Sequence, residues 1–403
     1  MSQVKRHTVV LLGGIILFVL TTAAINSWVN PLRVVRSPWS GAGFEDYRDI
    51  SSQIRTGKAG LIRSTPQIDV AFLGSSRIEN GLDPEHARWR GKEVLNLGCS
   101  GGYIHESAGI TDYLLKNTQP AVLICGIDPG DLSRPTDSRN QSDYHSSPFS
   151  STHGAIDREL RYIFGITSLE DSIDTIIRRS RSHPSSYTAK GLRTVESEGS
   201  QLRFIRRQLV GNAFAFGNQR RSAKIVPEKI QTLRGLMVQA REAGTRLILF
   251  IHPQHAIMAA RLRDLEDPPL FFPDERPALV KLVEEVNSLP SPGPSVELWD
   301  FFDFHPINCE SLPLGDKKRM TNWDDLGHFS VPVGNAIQAR MMGWDVELDG
   351  AENYGFQLDA TNLTERQDAI RAGYRRYLSG PHRSDVVWKE ELIQPKPEDP
   401  EIR

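Results

Sequence analysis

Cysteine is scarce: Cys99, Cys125 and Cys309 are the only three in 403 residues, too few for a disulfide framework, so a packed core must carry the stability. One bridge is allowed and none is required. Charge of one sign is lacking as well. Lys+Arg number 48 against 50 Asp+Glu, a net charge of -2, which leaves no electrostatic footprint for nucleic acid or a strongly charged membrane surface. There is no P-loop and no G-x-G-x-x-G run to cradle a nucleotide phosphate, and no internal repeat. What is present is a hydrophobic fraction of 39% with 24% charged residues, the composition of a body that folds in water rather than of a polytopic membrane protein or a disordered chain. The length suits one enlarged α/β domain, or a domain plus extras.

One apolar run stands apart. Residues 9–25 follow Lys5 and Arg6, a length at the short end for a spanning helix and slightly long for the core of a signal peptide. Both readings mean export, and a buried core helix is the bland third. Thr22-Ala23-Ala24 is only a fair cleavage site, and Arg33 and Arg36 on the far side weaken the positive-inside bias. The expectation is an uncleaved anchor at residues 1–28, a single pass through the inner membrane, with the main domain facing the periplasm or cell exterior.

Residues 29–66 read as a stalk with an entry helix at about 44–62. From Ile68 short apolar runs appear, each ending in a turn: residues 68–73 stop at Gly74, 94–97 at Gly98, 121–125 at Gly126, and 246–251 at His252-Pro253. Val296-Glu297-Leu298-Trp299 forms a fifth. Helical periodicity fills the gaps at 105–117, 227–243 and 274–289, the second opened by Pro227 and closed by Gly244. Strands alternating with helices predict a three-layer α/β/α domain with a central, mostly parallel sheet over residues 67–343. Ligands in such sheets collect at the carboxyl ends of the strands. Residues 130–225 interrupt the alternation as an inserted helical and loop region, helical at about 162–179, and read either as a lid or as a partly disordered loop. Arg178, Arg179, Arg181, Arg203, Arg206 and Arg207 within it either meet an anionic polymer or form a solvated helix face. Residues 344–403 hold one amphipathic helix, about 364–378, and a Pro-rich charged end expected to be disordered.

Chemistry concentrates at two distant places. Ser76 follows a buried strand and a glycine, where the chain turns into a helix and exposes a hydroxyl. That suits a nucleophile, because the helix N-terminus aims N–H groups at any oxyanion formed there. Far along, Asp325 precedes His328 by three residues, a spacing at which a carboxylate orients an imidazole and leaves its other nitrogen to take a serine proton. Each signal alone is weak, since Gly-Ser-Ser turns are common and Asp-x-x-His is more often surface than catalytic. Asp324 is the competing orienting acid. Arg77 either binds an anionic substrate or braces Asp128. His252 and His255 are candidate substrate contacts; as metal ligands they are poorly placed after a strand with Pro253 between them. Ser100 joins the substrate-binding candidates, and His105 and Glu106 line the pocket or simply open a helix. Trp299, Phe301, Phe302 and Phe304 read as core.

Together, a serine after the first strand, a glycine-rich turn after the second and Asp-x-x-His before the last helix resemble the SGNH, or GDSL-like, hydrolase superfamily. The matching stretches are Phe72-Leu73-Gly74-Ser75-Ser76, Asn96-Leu97-Gly98-Cys99-Ser100-Gly101 and Trp323-Asp324-Asp325-Leu326-Gly327-His328-Phe329. They span about residues 68–343 in order. The resemblance implies Ser76, His328 and Asp325 as catalytic and an oxyanion hole from Ser76, Gly98 and the position of Asp128. There the family has an asparagine; this chain has Gly126-Ile127-Asp128, so Asp128 either holds a proton or does another job. The anchored arrangement looks like the proteins of alginate O-acetylation and of D-alanyl transfer to teichoic acids. It implies a serine acyltransferase or esterase acting on acyl groups, O-acetyl above all, of an envelope glycan, beside a membrane acyltransferase and without cofactor, metal or nucleic acid. The alternative is a catalytically silent module that binds or scaffolds envelope polysaccharide.

Overall fold

The computed structural model describes residues 3–37, 39–194, 200–211, 224–314 and 319–394. Five strands run parallel: β1 (Val70–Leu73), β2 (Val94–Asn96), β3 (Val122–Ile127), β4 (Arg246–Ile251) and β5 (Glu297–Asp300). A sixth, β6 (Phe356–Gln357), joins β5 antiparallel, giving the order β2-β1-β3-β4-β5-β6. The central strands are buried almost throughout, which is why they read as continuous apolar runs and not as alternating ones. The two-residue β6 carries no such signature.

The helices are α1 (Gln3–Val29), α2 (Ile54–Ser64), α3 (Ser76–Gly81), α4 (Ile104–Asn117), α5 (Ala155–Phe164), α6 (Ile166–Ser180), α7 (Gln201–Gly211), α8 (Pro227–Glu242), α9 (Glu275–Ser288), α10 (Val331–Met342), α11 (Leu363–Ser379) and α12 (Arg383–Ile393). α1 is long and apolar enough to cross a membrane. From β1 the chain moves outward to β2, then returns across β1 to β3. With right-handed crossovers that reversal puts α3 on one face and α4, α8 and α9 on the other. α4 packs on α8 and α8 on α9, while α10 lies on α3. The point where the strand order reverses lies between the carboxyl ends of β1 and β3, and there a crevice is built into the topology.

Several expectations need correction. The entry helix begins only at Ile54, after a single 3-10 turn at Glu45–Tyr47. The helix expected at 162–179 is two helices broken at Gly165. In α7 the arginines face outward while Leu202, Ile205 and Leu209 are buried. The C-terminal segment carries a second helix, Arg383–Ile393, beyond the one expected: Val386 is buried, and the buried Lys389 ammonium donates to the carbonyls of Ile257, Met258 and Ala260 at 2.7–3.1 Å. Residues 395–403 lie outside the described residues.

Candidate active site

The turn from β1 into α3 depends on Gly74. Its φ of +142° is a left-handed value open to glycine, and a Cβ there would stand 2.7 Å from Ile78 Cγ1. Ser75 caps α3, its hydroxyl accepting from the Arg77 N–H at 3.4 Å. Ser76 thereby opens the helix at the carboxyl edge of the sheet, half-buried. Residues 323–329 form a tight loop closed by the Trp323–Phe329 bridge and by the Asp324 N–H donating to His328 O at 2.9 Å. Trp323, Leu326 and Phe329 of this loop are buried, Phe329 against Gly81 of α3 and the His252 ring and Trp323 against the His255 ring.

These two segments, 252 residues apart, meet in a hydrogen-bonded relay. Ser76 Oγ lies 2.7 Å from His328 Nε2, and His328 Nδ1 lies 2.7 Å from Asp325 Oδ2. Asp325 Oδ1 accepts the N–H groups of Gly327 at 2.7 Å and His328 at 3.0 Å. The carboxylate is thus fixed at both oxygens, Nδ1 carries the proton, and Nε2 is the acceptor for the serine O–H. Burial pushes the Asp325 carboxyl up, but the bonds and charge of His328 and the Gly327 N–H outweigh it and hold it at about 2. Asp325, not Asp324, is the orienting acid; burial and the neighbouring Asp325 charge raise the Asp324 carboxyl. The His328 side chain keeps 26% of its surface, so the relay opens to solvent.

Asp128 sits at the carboxyl end of β3, across the reversal point from Ser76. It pairs with Arg77 Nη1, while Arg77 Nε donates to Gly327 O at 2.7 Å. Burial raises the Asp128 carboxyl, but Arg77, His252 and Ser75 overcome it and hold it below the ordinary range. An ionised carboxylate cannot donate to an oxyanion, so Asp128 braces Arg77 instead. Gly98 is no free donor either: its N–H goes to Asn96 Oδ1 at 3.0 Å, while Asn96 Nδ2 donates to Ile78 O and Leu82 O and locks α3 to β2.

Ser100 is also committed. Its hydroxyl donates to Glu79 Oε2 and its carbonyl accepts from Arg55 Nη2 at 2.7 Å. Because the peptide is planar and trans, a carbonyl held toward Arg55 turns the Gly101 N–H to the opposite side. Gly101 has φ +69° and open space where a Cβ would stand. Among the described residues neither its N–H nor that of Ser76 has a hydrogen-bond partner. Gly101, rather than Gly98, is the glycine of this turn with a donor to spare; the Gly101-Gly102 pair was the signal for it.

The histidine candidates are not surface groups. His255 Nε2 lies 2.8 Å from Glu310 O and Nδ1 accepts from the Ile257 N–H, which makes it a structural cap. His252 is fully buried beside Phe250 and Phe329, in space left by Gly126, where a Cβ would stand 2.2 Å from its Nε2. Its ring nitrogens have no hydrogen-bond partner among the described residues, and Nε2 stays 4.0 Å from Asp128 Oδ1. Burial drives its pKa down to about 3. His105 and Glu106 are buried too, Glu106 in an ion pair with Arg55.

Other supporting residues escaped the sequence reading. Gln201 Nε2 donates to Trp323 O and Asp324 O, and Gln208 Oε1 accepts the Leu326 N–H at 3.2 Å, so α7 holds the 323–329 loop from outside. Glu79, fully buried, joins Ser100 to the Tyr187 hydroxyl at 2.6 Å. A glutamine on the inner side of an amphipathic helix was the visible hint for Gln201; nothing marked Glu79. Among the described residues no group of three His, Cys, Asp or Glu side chains could hold a metal ion. The chain matches no protein-family model and no curated protein.

Proposed function

We propose that the chain is a membrane-anchored serine acyltransferase or esterase of the SGNH hydrolase type, working outside the cytoplasm on O-acyl groups of an envelope glycan. The observation that carries this reading is the continuous relay from Ser76 through His328 to Asp325, with both links at 2.7 Å. In the proposed reaction His328 Nε2 takes the serine proton as Oγ attacks the ester carbonyl, and Asp325 stabilises the imidazolium. Charge on the carbonyl oxygen falls to main-chain donors, those of Ser76 and Gly101. His328 returns its proton to the leaving alkoxide, the C–O bond breaks, and the acyl group stays on Ser76. A glycan hydroxyl or water, deprotonated by the same imidazole, then takes the acyl group and restores the serine.

Ionised Asp128 at the position of a family donor favours the second reading, a silent module that binds envelope polysaccharide. A fluorophosphonate probe on the full chain tests both. Labelling at Ser76 that disappears in Ser76→Ala, together with turnover of an aryl acetate, is expected. Absence of label on correctly folded protein would leave the binding module.

A further inference from the structure

The helices α5 and α6 carry large apolar side chains that face outward. On α5 these are Ile156, Leu160 and Phe164, at intervals of four; on α6 they are Ile166, Ile173 and Ile177, at intervals of seven and four. All six are 40–76% exposed. Such spacing makes a stripe along each helix, and stripes of this size on a water-soluble surface mark a contact.

Their position relative to α1 identifies the contact. The last two turns of α1 pack on both helices, burying Thr22, Asn26 and Val29, whereas residues 3–21 are exposed throughout. Asn26 Nδ2 donates to Tyr162 O, Ile163 O and Gly165 O at 3.0–3.3 Å, and Ser172 Oγ donates to Asn26 Oδ1 at 3.0 Å. The α5–α6 junction is thereby pinned to one level of α1. Lys5, Arg6 and His7 mark the polar start of that helix. A hydrocarbon layer of roughly 30 Å takes up roughly 20 residues, so it reaches from Thr8 to the level of Asn26. A polar amide at that depth needs protein partners rather than water, and Asn26 has its full set. Trp28 and Trp39, both exposed, stand where indoles gather at a bilayer boundary.

The geometry points to α5 and α6 lying in the bilayer interface beside α1, their apolar stripes in contact with lipid, so that the body is held in one fixed pose on the membrane rather than swinging on a tether. The occupant is the phospholipid bilayer that α1 crosses, and the inference rests on reading α1 as a membrane span. The full chain in nanodiscs of phosphatidylethanolamine and phosphatidylglycerol tests it, with an environment-sensitive fluorophore on Leu12→Cys, Leu160→Cys, Ile173→Cys or Glu352→Cys. The native cysteines are buried and do not compete. Leu12→Cys should be quenched by lipids carrying the quencher deep in the acyl chain. Leu160→Cys and Ile173→Cys should be quenched by lipids carrying it near the headgroup, and the exposed Glu352→Cys control only by aqueous iodide. Quenching of Leu160→Cys and Ile173→Cys by iodide alone, with Leu12→Cys still in lipid, overturns the inference and leaves the span intact. Shielding of those two positions from both quenchers would assign the stripes to a protein partner and overturns it too. A water-exposed Leu12→Cys would sink both readings.

Discussion

Arg77 Nε donates to the carbonyl of Gly327 at 2.7 Å, so the residue after the serine holds the residue before the histidine. Its other arm pairs with Asp128 at the end of β3, which makes one guanidinium the tie between the serine turn, the histidine loop and the sheet. Arg77→Ala is expected to let the loop drift and to lower ester turnover and the rate of fluorophosphonate labelling by up to about 100-fold. Arg77→Lys keeps the charge but offers no fixed fork to span two partners, and should fall between. Labelling of Arg77→Ala at the parental rate would show that the loop keeps its place without this tie.

The orienting carboxylate predicts two separable effects. Asp325→Asn should lower turnover by an amount on the order of 10⁴-fold, because an amide no longer enforces the tautomer with Nδ1 protonated. It should also change acid stability. The folded Asp325 pKa, about 2, lies below the ordinary 3.8; the stabilisation is therefore complete above about pH 4 and lost as pH falls toward 2, amounting to about 2 kcal/mol. Denaturant melts across that window should show the parent losing this advantage over Asp325→Asn. A constant gap between them would contradict it.

Five strands and most of the packed helices were legible because burial on both faces writes an unbroken apolar run, and an amphipathic face writes a 3.6-residue period. Ser76, Asp325 and His328 were legible from where they fall relative to those elements. The polar scaffolding was not: the bonds of Asn96, Glu79 and Gln208 depend on which loops the fold brings together, and no local pattern encodes that. Gly98 was the oxyanion donor that the resemblance implied, and only the Asn96 bond shows that its N–H is already spent. His252 and His255 read as ligand-facing because they stand at a strand end, yet the close approach of Gly126 and the 308–310 segment buries them.

A neutral histidine sealed in the core makes stability depend on pH in a different window. The unfolded chain binds a proton at His252 near its ordinary 6.5, and the folded chain only near 3. The contribution is full above about pH 6.5 and declines as pH falls through the window. His252→Met, similar in bulk and unable to titrate, should cost about 1 kcal/mol near neutral pH and recover by about 2 kcal/mol relative to the parent near pH 5. His255, lowered to about 4, acts in the same sense, so the variant keeps part of the slope. Parallel stability curves for parent and variant would mean that His252 is not sealed from protons.

The turn after β2 gives the sharpest test of the oxyanion assignment. Gly101 has room for a side chain but a φ of +69°, so Gly101→Ala strains the backbone by about 1–2 kcal/mol without a clash. The way to relieve it is to rotate the Ser100–Gly101 peptide, which withdraws the N–H from the outer side. Turnover should fall by about 100-fold, the cost of losing one oxyanion donor, with a stability loss no larger than the strain. Arg55→Met frees the Ser100 carbonyl from the other side and should lower turnover in the same direction, at a greater stability cost because it leaves buried Glu106 unpaired. If Gly101→Ala turns over ester like the parent while its melt shows the expected strain, the outward N–H has no part in the reaction and the oxyanion must be met at Ser76 alone.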